Sequence, residues 1–365
     1  MCHTAPVMRR LLVVGDIHGC FHELEALRRL VELGPADLLV SVGDLVDRGP
    51  ASFEVVRYFA ADPVHRLAVL GNHEEKHLRG DRHELDDPSG RITRTITRPR
   101  DYETMLEYFR TLPLYLDLPE ALVVHAGLLP NVPLAEQPPK VLTGRGSQGR
   151  PGFDGATPWW FDDPTLQPAK PVIFGHSVFS EVVRRAEGRV WGLDTGAAVG
   201  GRLSGLLLPE LSLVSVPTPD YYRELLRHFA PVFLLRDLPH LPWRRVLGMR
   251  PEDWPDEVAR RLVHARHAWR DALAALAADV GSLRALLGWE QQGPDTREAW
   301  ARALRSRPEL GSPYSTVLLH AFPGGPDPAV VAKAWSCLAE LEKAVAYRHQ
   351  LDLAAIAGAV GGSAA

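Results

Sequence analysis

Leu11-Leu12-Val13-Val14-Gly15-Asp16-Ile17-His18-Gly19 decides how this chain is read. Four aliphatic residues in a row, ended by a glycine, read as a short strand buried on both faces. Asp16 and His18 then stand just past its carboxyl end, two metal-capable side chains in one loop. The same design recurs downstream. Leu38-Leu39-Val40-Ser41-Val42 runs into Gly43-Asp44, and Leu67-Ala68-Val69-Leu70 into Gly71-Asn72-His73-Glu74. Leu122-Val123-Val124 runs into His125-Ala126-Gly127, and Val172-Ile173-Phe174 into Gly175-His176. Between the early strands lie helical patterns. Residues 23–33 carry Leu24, Leu27, Leu30 and Val31 at helical spacing, closed by Gly34-Pro35. Ser52 reads as an N-cap before Val55, Val56 and Phe59. Alternating strands and helices predict an α/β layered fold. In such folds ligands gather in the loops beyond the carboxyl ends of the strands, which is where the candidate ligands fall.

Working outward, residues 80–100 form a polar insertion expected to be a surface excursion at the rim of the site. The stretch 130–171 is crowded with Pro and Gly and contains Trp159-Trp160, expected to pack as local core rather than to stack on a nucleobase. From Pro219 the character changes. Residues 254–287 place Val258, Leu262, Ala265, Trp269, Leu273, Leu276, Val280, Leu283 and Leu287 at three- and four-residue steps, which predicts one long amphipathic helix. Residues 295–304 and 327–356 repeat the pattern between Gly/Pro breaks. The expected organisation is therefore a catalytic domain over residues 9–218 and a helical region over 219–365. That second region offers a protein-interaction surface or packs back as structural support.

The bulk numbers narrow the classes. The chain has 365 residues, 45% hydrophobic and 24% charged, as expected of one large or two smaller globular domains. A net charge of -4 gives no basic surplus for nonspecific nucleic-acid binding. Three scattered cysteines, Cys2, Cys20 and Cys337, argue against a disulfide framework and for a reducing cytoplasm. No apolar run reaches the ~18–20 residues of a membrane span, and the start lacks a signal-peptide core.

The chemistry resides in an ordered set: Asp16, His18, Asp44, Asn72, His125 and His176. Carboxylate oxygens, imidazoles and one amide oxygen suit two divalent metal ions, Mn first, with Fe or Zn as alternatives, rather than calcium. Six groups suffice for two ions if Asp44 bridges them. Such a pair clamps a phosphate and lowers the pKa of a shared water. Singly, each residue has a plainer reading as a turn former or a satisfied histidine. Their shared position at five strand ends is what singles them out.

Gly15-Asp16-Ile17-His18-Gly19, Gly43-Asp44-Leu45-Val46-Asp47-Arg48-Gly49, Gly71-Asn72-His73-Glu74 and His125-Ala126-Gly127 together resemble the phosphoprotein phosphatase branch of the calcineurin-like metallophosphoesterases. The resemblance spans residues 9–218. It implies a four-layer sandwich, two facing mixed β-sheets flanked by helices, with a dinuclear centre at the strand ends and a C-terminal α-helical region beyond. Carried over, it implies that Asp16, His18 and Asp44 hold one ion and Asn72, His125 and His176 the other, with Asp44 shared. His73 would be the general acid, Asp47 would fix its imidazole, and Arg48 would bind phosphate oxygens. A second phosphate-binding arginine is expected at Arg145, with Arg150 as its competitor. The implied activity is phosphate-ester hydrolysis of a phosphoprotein or a nucleotide. Because Asp47 and Glu74 are kept, the resemblance favours a serine/threonine phosphatase-like monoesterase. The alternatives are a dinucleoside polyphosphate hydrolase or an RNA-end phosphatase, and last a binding protein with a vestigial metal site.

Overall fold

A computed structural model of the chain describes residues 9–80, 87–144 and 159–288, with shorter pieces between 291 and 362. The chain divides into two compact units, residues 1–229 and 230–365. In chain order the first elements are β1 (Leu11–Val14), α1 (Phe21–Leu30), β2 (Leu38–Ser41), α2 (Ser52–Ala60), β3 (Arg66–Ala68) and α3 (Asn72–Arg79). Next come α4 (Pro88–Ile96), α5 (Pro99–Phe109), β4 (Tyr115–Asp117), β5 (Leu122–Val124), α6 (Pro139–Leu142) and β6 (Val172–Phe174). They are followed by β7 (Val183–Arg185), β8 (Val190–Gly192), β9 (Asp194–Thr195), β10 (Arg202–Leu208) and β11 (Ser212–Pro217).

Two mixed sheets result. The first has the order β11-β10-β1-β2-β3, with β9 paired to β10; β1, β2 and β3 are parallel and β10 is antiparallel to β1. The second has the order β4-β5-β6-β8-β7, parallel through β5, β6 and β8 and antiparallel at both edges.

The uninterrupted aliphatic run of β1 has a simple cause. Side chains alternate across a strand, and both faces of β1 meet apolar layers. Leu12 and Val14 pack with Leu24, Leu27, Val55, Phe59 and Phe109 from the helices. Leu11 and Val13 pack between the sheets with Val123, Ile173 and Trp191. The outer face of the second sheet, Val124, Val172, Phe174 and Val190, is covered by Leu142 of α6 and by Trp160 and Phe161. Each fully buried Leu or Val here contributes about 1.5–3 kcal/mol relative to exposure.

The parallel βαβ connections place the loops after β1, β2, β3, β5 and β6 at one set of strand ends. Two local expectations need correction. Ser52 is not the N-cap of α2: Ala51 holds that position, and the Ser52 hydroxyl instead accepts the amide of Asp47 at 3.1 Å. The 80–100 insertion is a surface excursion at residues 95–100 but not at 89–93. α4 caps on Asp87 and buries Ser89, Arg91, Ile92 and Thr93, because its polar face has buried partners in the site.

Beyond β11 follow α7 (Tyr221–Asp237), α8 (Trp243–Gly248), α9 (Asp256–Leu287) and α10 (Leu353–Gly362). α9 is the long helix expected from periodicity; it buries Val258, Leu262, Ala265, Trp269, Leu283 and Leu287 and ends on Gly288 in the left-handed region. The helical patterns expected at 295–304 and 327–356 lie largely outside the described residues. No helix among the described residues is long and apolar enough to cross a membrane.

Candidate metal centre

The ends of β1, β2 and β6 deliver their side chains through tight turns, and the backbone there is strained. His18, Asp44, Asp47, Arg48 and His176 have φ of 47°, 49°, 71°, 65° and 66°. For residues other than glycine such conformations cost roughly 1–3 kcal/mol each and persist where the surroundings over-determine them. Two glycines make the close approach possible. A Cβ at Gly71 would run into Asp44 Oδ1, and one at Gly175 into Asp16 Oδ1.

Asp44 is the centre of the arrangement. Its Oδ2 lies 3.8 Å from His18 Nε2 and 3.9 Å from His73 Nε2. Its Oδ1 lies 3.5 Å from His125 Nε2 on the other side. Asn72 Oδ1 sits 3.0 Å from His125 Nε2 and 2.8 Å from His176 Nδ1. Two groups of possible metal donors follow, His18–Asp44–His73 and Asp44–His125–His176, each with ligand atoms within 4.8 Å of one another. Asp16 stands in neither group. Its carboxylate accepts the His176 amide at 3.1 Å from both oxygens.

The protonation pattern fits cations. His18 Nδ1 donates to the Val46 carbonyl at 2.8 Å, and His125 Nδ1 donates to the Val42 carbonyl at 2.8 Å. In a neutral ring that bond leaves the Nε2 atom as a lone pair able to bind a metal. At His125 the Nε2 atom faces the oxygens of Asn72 and Asp44 at 3.0 and 3.5 Å, so a ring with its one proton on Nδ1 would set acceptor against acceptor there. A divalent ion resolves that conflict. The electrostatics agree. Burial pushes His18 well below its ordinary value, aided by the charges of Arg48 and His73. Burial, then the charges of Asp194 and Asp44, push the Asp16 carboxyl well above the usual range. Burial also works against the Asp44 carboxylate, but His125, His73 and His18 outweigh it and hold it below the usual range.

Beside the metal donors lies a second cluster. His73 Nδ1 donates to Asp47 Oδ2 at 2.6 Å. Arg48 spans the two histidines, donating from Nη1 to His18 Nε2 at 2.8 Å and from Nη2 to His73 Nε2 at 3.2 Å. The structure thus brings together Asp16, His18, Asp44, Asp47, Arg48, Asn72, His73, His125 and His176. Arg145 and Arg150 lie outside the described residues. Trp160 is core: its Nε1 donates to the Ala126 carbonyl at 3.2 Å, and its ring packs 5.0 Å from that of Phe174. Trp159 stacks on Phe161.

Sequence reasoning quoted Glu74 as part of a motif without its structural role, and missed Lys76, His77 and Thr93. Glu74 is fully buried and accepts the amides of Asp44, Leu45, Val46 and Gly71 at 3.0, 2.8, 3.3 and 3.0 Å. Burial and the neighbouring Asp44 push its carboxyl up to about 8. Lys76, His77 and Thr93 all donate to Asp47. Helical spacing from His73 puts Lys76 and His77 on its face of α3, so that signal was available. Nothing in the sequence announced Thr93, 46 residues beyond Asp47.

Comparison with known proteins agrees with this geometry. The family model for calcineurin-like phosphoesterases matches residues 9–195. A "Bis(5'-nucleosyl)-tetraphosphatase, symmetrical" of Shewanella sediminis (strain HAW-EB3) is 40% identical over 123 residues, 32% of this chain and 44% of that protein. The chain thus spans under half the length of this relative. A protein of the same name from Methylobacillus flagellatus is 28% identical over 269 residues, 56% of this chain and 94% of the relative. A solved structure described as a putative diadenosine tetraphosphatase superposes with a TM-score of 0.50 at 29% identity, over 59% of this chain and 96% of that one. Two mixed sheets, donors gathered at their strand ends and a family match across the whole site make this chain a member of the calcineurin-like phosphoesterase family.

Proposed function

We propose that this protein is a metal-dependent phosphoric ester and anhydride hydrolase acting on dinucleoside polyphosphates. The observation that carries the hydrolase reading is the pair of donor groups sharing Asp44, with His125 Nε2 turned toward the Asn72 oxygen. The nucleotide preference is supported by the tetraphosphatase names of relatives that align over nearly their whole length. This reverses the ranking expected from sequence, where Asp47 and Glu74 favoured a serine/threonine phosphatase. Glu74 is fully buried and its two carboxyl oxygens accept four backbone amides, so it is not placed to touch a substrate.

In this reading Asp16, His18 and Asp44 would hold one ion and Asn72, His125 and His176 the other, with Asp44 shared. Manganese is the proposed metal, with iron and zinc as alternatives. Two bound ions supply Lewis acidity toward a phosphoryl oxygen and an acidified water. The chain's own residues do the rest. Arg48 offers two N–H groups to phosphate oxygens in place of the imidazole nitrogens it now contacts. Asp47 holds the Nδ1 proton of His73, which leaves Nε2 toward the cleft to handle the proton of the departing oxygen. Hydrolysis of the central anhydride adds water across one P–O bond and releases two nucleoside diphosphates.

The test is phosphate or nucleotide release by manganese-loaded protein from diadenosine tetraphosphate and from a phosphoserine peptide, with His125→Ala as control. Turnover of the dinucleotide, lost in the variant, supports the reading. Turnover of the peptide alone returns the protein-phosphatase reading to first place.

A further inference from the structure

We propose that Lys76 and Thr93 are positioning residues for the His73–Asp47 pair, locking the carboxylate so that the imidazole has one orientation. The proposal rests on the reading of His73 and Asp47 given above. Asp47 has no exposed surface, and a carboxylate offers about four lone-pair sites. All are taken. Oδ2 accepts His73 Nδ1 at 2.6 Å and Lys76 Nζ at 2.5 Å. Oδ1 accepts His77 Nε2 at 2.8 Å and Thr93 Oγ1 at 2.6 Å. The bond from His73 faces the reaction; the others, with a longer one from Ser89 Oγ to Oδ2 at 3.5 Å, fix the plane of the carboxylate.

The donors come from two helices with a common geometry. α3 presents His73, Lys76 and His77 at i, i+3 and i+4, one face of a helix. α4 lays Ser89 and Thr93, again four apart, over the same carboxylate. Lys76 ties the two helices together. Its ammonium pairs with Asp87, the N-cap of α4, donates to Ser89 Oγ at 3.3 Å and stands 3.1 Å from His73 Nδ1. The helix contributed by the polar insertion is therefore attached to the carboxylate that orients the proposed acid. A hydroxyl at 93 and a cation at 76 do different things there. Thr93 orients Oδ1, while Lys76 places a positive charge on the oxygen shared with His73.

The experiment uses the full-length chain and two readouts. The first is the imidazole nitrogen and proton resonance of His73 Nδ1 in metal-free protein. The second is kcat and KM for diadenosine tetraphosphate with manganese. In Lys76→Met and Thr93→Val the resonance should move. Their kcat should fall about tenfold, the low end of what a group orienting a catalytic side chain is worth, with KM held within about twofold. Thr93→Ser, which keeps the hydroxyl, should restore both. Thr95→Val controls for damage to α4, since the hydroxyl of the exposed Thr95 donates to the Arg91 carbonyl of its own helix; it should match wild type. Folded Lys76→Met and Thr93→Val proteins with an unmoved His73 resonance and wild-type kcat overturn the proposal, whatever their melting temperatures. A moved resonance in protein that turns over no dinucleotide keeps the positioning role and overturns the substrate reading instead. Full activity in His73→Ala overturns the acid role of His73 and with it the positioning role, and leaves the substrate reading standing.

Discussion

At the scale of single residues, Asp44 carries the most. It is the only residue common to both donor groups among the described residues, and its amide and carboxylate are fixed by Glu74 and by the His73 amide. Asp44→Asn should lower bound manganese from about two ions per chain to less than one, read by elemental analysis. Turnover should fall at least about 100-fold, since loss of an outer partner alone costs 10–100-fold. Two bound ions in Asp44→Asn would rule out the bridge. Asp37, remote from the site, gives a test of pH dependence. It accepts Arg10 N, Nε and Nη2 at 3.0, 3.1 and 2.7 Å and Gly34 N at 2.8 Å, tying the start of β1 to the entry of β2. Burial pushes the Asp37 carboxyl up, but the bonds from Arg10 and Gly34 outweigh it and hold it below the usual range. A carboxyl lowered on folding stabilises the protein above its unfolded value, near ~3.9, and that contribution is lost as pH falls through the folded value. Urea titrations should therefore show Asp37→Asn about 1 kcal/mol less stable at neutral pH, with the gap closing below about pH 4.

At the scale of elements, the site depends on how each strand hands over to the next segment. The β3–α3 junction is the tightest case: Gly71 caps α3, and its Cα stands where any Cβ would meet the Asp44 carboxylate. Gly71→Ala has no left-handed backbone to offend, since φ there is −92°. The expected damage is displacement of Asp44. Manganese affinity measured by calorimetry should drop about 10–100-fold while far-ultraviolet circular dichroism stays at wild type; unchanged affinity would mean that Asp44 is free to move. The strand-end motifs were legible because each joins a buried aliphatic run to a glycine turn and a donor. α4 was not. Its polar composition reads as solvent-exposed, and only its approach to Asp47 shows that Ser89 and Thr93 have buried partners. Ser52 shows the same limit on a smaller scale, a good capping residue whose hydroxyl is claimed by Asp47 instead.

At the scale of the whole molecule, the chain is two units, and every residue of the proposed site lies in the first. In the second, the apolar stripe of α9 is buried. A fragment ending at Phe229 should accordingly retain manganese binding and at least about a tenth of wild-type kcat, the loss allowed for altered orientation of the site alone; complete loss of both in a folded fragment would assign residues 230–365 a part in the centre. The sequence by itself determined the α/β class, the long helix α9 and the ordered set of donors, because these depend on local periodicity and on residue types fixed at strand ends. Tertiary structure decided which donors share Asp44, which nitrogens of His18, His73 and His125 face a backbone carbonyl or a carboxylate, and which side chains saturate Asp47. Those are matters of distance between segments far apart in the chain. Hydrogen-bond and charge energies change steeply with such distances, and no pattern in the sequence encodes them.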